Sequence, residues 1–106
     1  MAWVYLFAAG LLEVVWAYSM KQSEGFSRIG PSAITVVAMI ASVGLLALAM
    51  RTLPLGTSYV IWTGIGAVGT FAVGIAVLGE GVSITRVAAA GFIILGLIMM
   101  KTSATT

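Results

Sequence analysis

One carboxylic acid, Glu13, stands inside the stretch "AGLLEVVWAY", residues 9 to 18, whose other residues are almost all apolar. A carboxylate can bind a proton or a cation, and helical spacing names its neighbours. Gly10, Glu13, Trp16, Ala17 and Met20 recur at steps of three and four, so they share one helix face. Gly10 leaves space a turn before the acid, and Trp16 offers a π-face and an indole N–H a turn after it. Further along, Tyr59, Trp62, Thr63 and Gly66 make a similar face, and Ser42 is a lone hydroxyl within "MIASVGLL". Aromatic faces attract cations, more strongly where water is excluded, and an ionised glutamate supplies the countercharge. These residues describe a box for a small organic cation. Burial disfavours the ionised carboxylate unless a cation accompanies it, so the same acid can hold either a proton or a substrate. Competition for one site, combined with alternating exposure, is sufficient for antiport.

The elements that must position this box are membrane helices. The chain has 106 residues, of which 61% are hydrophobic and 8% charged, a balance unlike that of a soluble domain. A bilayer core of about 30 Å takes about 20 apolar residues per helix. Four such blocks occur, spanning residues 2–20, 31–50, 55–78 and 84–100, and they predict a single all-α transmembrane domain of four helices over residues 1–106. The first block has no basic leader region and carries an acid near its middle, so it reads as a permanent helix rather than a secretory signal. Counted from Trp3, Glu13 lies roughly 15 Å along its helix, near the bilayer midplane. No lysine or arginine sits at that depth. Inserting a charged carboxylate there costs on the order of 2.5 to 3.5 kcal/mol, a penalty that argues for function.

Lys21, Arg28, Arg51, Arg86 and Lys101 all fall at span edges, where basic side chains snorkel to headgroups, so the net charge of +2 does not point to nucleic acid. With the N-terminus on one side, Arg51 and Lys101 join it, and Lys21, Arg28 and Arg86 take the other. That near-even sharing gives the positive-inside rule little to act on and permits insertion both ways up, hence an antiparallel homodimer. Trp3 and Tyr5 read as interfacial belt residues. In "KQSEGFSRIGP", Gly25 and Gly30 read as breakers, Pro31 as a helix opener, and Glu24 with Arg28 as a surface pair four residues apart. Glu80 falls in the last turn, where a carboxylate is solvated. Without cysteine or histidine, disulfide, thiolate and most metal chemistry drop out, and no metal or cofactor is implied. Residues 64 to 69 spell GxGxxG, but inside an apolar span rather than at a strand-to-helix turn, so nucleotide binding is rejected. Glycines there favour close helix approach or bending, and Gly66, Thr70 and Gly74 repeat along one face. The fourth span, with Ala89, Gly91 and Gly96 and no ionisable group between Arg86 and Lys101, reads as an association helix.

The chain resembles the small multidrug resistance transporters over essentially its whole length. The resemblance lies in the four-span layout, the first-span glutamate, "KQSEGFSRIGPS" at residues 21 to 32 and "LPLGTSYVIWTGIGAVG" at residues 53 to 69. Glu13 and Trp16 in "LEVVWA", together with Ser42 and Lys101, are more similar to the guanidinium-exporter subtype than to the polyaromatic-cation subtype. The resemblance implies a proton-coupled antiporter in the bacterial inner membrane, working as an antiparallel, dual-topology homodimer. Its substrates would be guanidinium and guanidinyl compounds, with small quaternary ammonium ions as a further class. By the same carry-over Glu13 binds proton and substrate, while Gly10, Trp16, Ser42, Tyr59 and Trp62 line the site. Gly64-Ile65-Gly66 would be the bend where the third helix switches conformation. The alternatives are a broad polyaromatic-cation exporter of the same family, a rotary-ATPase rotor subunit, and a non-transporting membrane regulator. The rotor reading is disfavoured because its acid normally stands in the last helix of a two-helix hairpin.

Overall fold

In a computed structural model, residues 1–103 are described, and they form four helices: α1 (Ala2–Gln22), α2 (Ile29–Ala49), α3 (Leu55–Ala76) and α4 (Ile84–Ser103). Each has 20 to 22 residues and a mean hydropathy of 1.4 to 2.3 over its most apolar window, long and apolar enough to cross a membrane. The boundaries differ from the expected spans where local turns decide them. Gly30 is not a breaker: α2 begins at Ile29, so Gly30 and Pro31 both fall in its first turn, where the N–H that proline lacks would have no helical partner. At the other end of α3, Gly79 adopts a φ of +67°, and the Glu80 N–H donates to the Gly74 carbonyl at 3.0 Å, ending the helix two residues before Leu78.

The α1–α2 turn is built on Ser23, whose hydroxyl donates to the Met20 carbonyl at 2.6 Å and accepts from the Phe26 N–H at 3.0 Å. Glu24, Gly25 and Phe26 all take positive φ there. The backbone is therefore not helical between Glu24 and Arg28, and the four-residue helical relation expected to pair them does not exist.

The four helices lie side by side in the order α2, α1, α3, α4, with the backbone of α4 close to α3 alone. The molecule measures 43 × 34 × 16 Å, so it is a slab little thicker than one helix. Short antiparallel connections did not close it into a bundle around a central core. What core there is gathers at the end holding the N-terminus of α1, where Leu6, Ala9, Leu46, Ala49 and Ile61 are buried together. No residue of α4 is fully buried, although Leu97 and Met100 pack against that core. Outward apolar residues such as Val37, Ile40 and Phe92 are exposed in every helix, which costs nothing where the solvent is lipid.

Small residues set the seam between α1 and α3, which run parallel. A Cβ on Gly10 would come within 2.6 Å of the Ile65 side chain, and one on Gly69 within 2.5 Å of Val14. Thr70 and Gly74 continue the seam past Ala17 and Tyr18 towards Lys21. The small-residue face of α3 is thus the face turned to α1. The GxGxxG run lies wholly inside this helix, far from any strand-to-helix turn.

Candidate functional site

Glu13 is the twelfth of 21 residues in α1 and faces the middle of α3, where Gly66 lies. Its carboxylate occupies the place where a Gly66 side chain would begin: a Cβ there would overlap Oε1, Cδ and Cγ of Glu13. The acid is partly buried, and its Oε1 is buried without a hydrogen-bond partner. One turn further, the Trp16 indole Nε1 is also buried and unpartnered. A buried polar atom left unpaired costs about 1 to 3 kcal/mol, so an acceptor and a donor left unpaired on one helix face require a reason beyond packing.

One turn in the other direction, the polar groups are satisfied. The Ser42 hydroxyl donates to the Ala9 carbonyl at 2.7 Å and accepts from Trp62 Nε1 at 3.0 Å. This three-helix link fixes the indole plane of Trp62 and spends its only donor. Tyr59 leans over Trp62, with ring centroids 5.6 Å apart and planes at 54°. Tyr59 is 54% exposed, so it forms the outer edge of the aromatic group.

The structure therefore joins Ser42, Trp62 and Tyr59 in one cluster and joins Glu13 to Gly66, with the two groups one helical turn, about 6 Å, apart along the seam. Trp16 touches neither group through a hydrogen bond. Gly10 lies against Ile65, so its missing side chain admits α3 rather than leaving open volume. Gly64 lies against Leu97 of α4 in the same way. Helix α3 runs unbroken through Gly64 and Gly66. A groove of about 850 Å³ between α3 and α4 includes Tyr59 and Gly64 but not Glu13, Trp16, Ser42 or Trp62.

Sequence reasoning passed over two buried polar groups beside these residues. Ser58 is fully buried with an unpartnered hydroxyl, one turn before Trp62 on α3. Its hydroxyl in an apolar span was the available signal. The Ala9 carbonyl that anchors Ser42 is a backbone group and left no trace in residue types.

Four membrane-length helices, with an acid midway along α1 one turn from an aromatic cluster, mark a multi-pass membrane protein. The model of the Small Multidrug Resistance protein family matches residues 1–98, and the chain belongs to that family of transporters. Similar proteins include one named guanidinium exporter from Yersinia pseudotuberculosis, 58% identical over 95% of this chain and 97% of its own. Proteins of the same name from Salmonella typhimurium and Escherichia coli K12 are each 55% identical. They cover 98% and 97% of this chain, and 99% and 98% of their own lengths.

Proposed function

We propose that this protein is a proton-coupled antiporter that exports guanidinium and guanidinyl compounds, with small quaternary ammonium ions as a further class. It acts in the bacterial inner membrane as an antiparallel, dual-topology homodimer. The observation that carries the reading is Glu13, an acid at mid-membrane depth with a buried, unpartnered oxygen and no lysine or arginine of its own chain at that depth. The names of the relatives, at 55 to 58% identity, support guanidinium as the substrate.

The chemistry follows from donor and acceptor counts. Guanidinium is planar and offers only N–H donors, so it needs acceptors in one plane and aromatic faces around them. Glu13 provides the charged acceptor, and Ser42, whose single proton is already given to Ala9, has acceptor capacity left. Trp62, its N–H committed to Ser42, presents its ring, and Tyr59 extends that surface. Trp16 donates to nothing in guanidinium, so its indole N–H serves the carboxylate. An arriving cation displaces the proton from Glu13, and a returning proton displaces the cation. Either exchange, made on opposite sides of the membrane, couples the two fluxes.

The slab supports a second copy. The molecule is flattened to 16 Å, and α4 has no fully buried residue, which leaves broad apolar faces for a partner. Opposed copies would bring two seams and two Glu13 carboxylates around one chamber, with Gly64 and Gly66 as the points where α3 flexes between conformations.

Reconstituted protein should release protons from the vesicle lumen when a guanidinium gradient is imposed, and Glu13→Gln should abolish that exchange. Proton flux unaffected by guanidinium would leave the regulator reading in its place. Flux driven only by bulky polyaromatic cations would assign the protein to the other subtype.

A further inference from the structure

Lys101, at the end of α4, holds its ammonium 5.0 Å from the centre of the Trp3 ring at the start of α1. The two helices have no close backbone approach, so a slot remains between them, floored by α3, with a volume of about 360 Å³. Lys101 and Trp3 stand at its membrane-edge end. Phe7, Ile61, Ile65 and Ile98 carry its walls towards the bilayer centre. Among the described residues no acidic side chain compensates this ammonium: Glu13 lies mid-helix, and Glu24 and Glu80 follow the opposite ends of α1 and α3. Arg51 lies at the same edge, in a cleft beside Met1, and raises its positive charge further.

We propose that this slot is a binding site for an anionic phospholipid, with the headgroup phosphate on Lys101 and one acyl chain between α1, α3 and α4. The charge excludes the transported cation, which the ammonium repels, and gives a neutral lipid no advantage. An indole beside a lysine at the membrane edge suits the headgroup boundary, where one end of the site is wet and the other apolar. The occupant would fill the gap between α4, whose backbone approaches only α3, and α1.

The test is native mass spectrometry of the purified full-length protein with phosphatidylglycerol and phosphatidylcholine of identical acyl chains, alongside glycerol phosphate as the headgroup without chains. Phosphatidylglycerol should be retained about fivefold more than phosphatidylcholine, and glycerol phosphate not at all. Lys101→Gln should erase the preference, whereas Lys21→Gln, which removes a lysine at the opposite edge, should keep it. Ile98→Trp, a substitution at an exposed residue that fills the slot and keeps the lysine, should lower retention of both lipids. Equal retention of the two lipids by the parent protein would overturn the assignment, as would a preference that survives Lys101→Gln or is lost equally in Lys21→Gln. So would occupation of the slot by a second copy of the chain, seen as phosphatidylglycerol binding only to protein from which the partner has dissociated.

Discussion

Gly66 of α3 gives the Glu13 carboxylate of α1 the space that any other residue would fill. The relationship makes the glycine part of the acid's site, in addition to any bending of α3. Gly66→Ala should therefore force the carboxylate out of its seat at a cost of about 1 to 3 kcal/mol and weaken guanidinium binding roughly tenfold or more. Ala67→Ser, at the next and exposed position, should leave binding unchanged. Calorimetric titration of both variants in lipid nanodiscs checks this, and equal affinities would separate Gly66 from the site.

Binding should tighten as pH rises. The cation pairs with ionised Glu13 and the proton with the neutral acid, so each cation bound through the acidic range releases a proton. Affinity should then approach a tenfold gain per pH unit until the acid is fully ionised, after which it levels off. Titrations in buffers of differing ionisation enthalpy measure the proton released, and affinity independent of pH would rule out the competition.

Ser42 joins three helices through one hydroxyl. Ser42→Ala leaves the Trp62 N–H without its partner and removes the added bond on the Ala9 carbonyl, and should cost about 1 to 3 kcal/mol of stability. Trp62→Phe in the same background should cost little more, because the bond is already gone. A double-mutant cycle on unfolding free energies in mixed micelles reads the coupling, and simple additivity would show that the link is energetically idle.

Trp16→Phe keeps an aromatic face and removes the unpartnered N–H. If that N–H supports the ionised carboxylate, guanidinium binding should weaken roughly tenfold at constant pH. A Phe variant that binds as the parent does would reduce Trp16 to a wall of the site.

The proposed dimer predicts that a cysteine added at the C-terminus reacts with an impermeant reagent on both faces of the membrane in one population. Reaction confined to a single face would exclude dual topology, whatever the transport assays show.

Residue types alone were enough for four helices of membrane length, because 20 apolar residues have no other stable place, and for Glu13 as the costly exception among them. The α1 face of Gly10, Glu13 and Trp16 followed from a period of 3.6 residues, as did the small face of α3. Helix ends were legible only to within a few residues, since Gly79 and the positive-φ run at Glu24 to Phe26 respond to turn geometry rather than composition. Tertiary structure decided what those faces meet. Parallel packing of α1 on α3 set Glu13 on Gly66 and filled the space at Gly10 with Ile65. The antiparallel crossing of α2 brought Ser42 to a backbone carbonyl that no side-chain pattern encodes. Periodicity states which way a side chain points along its own helix. The register between helices comes from which close contacts can be made at once, and that register chose the partners of the acid.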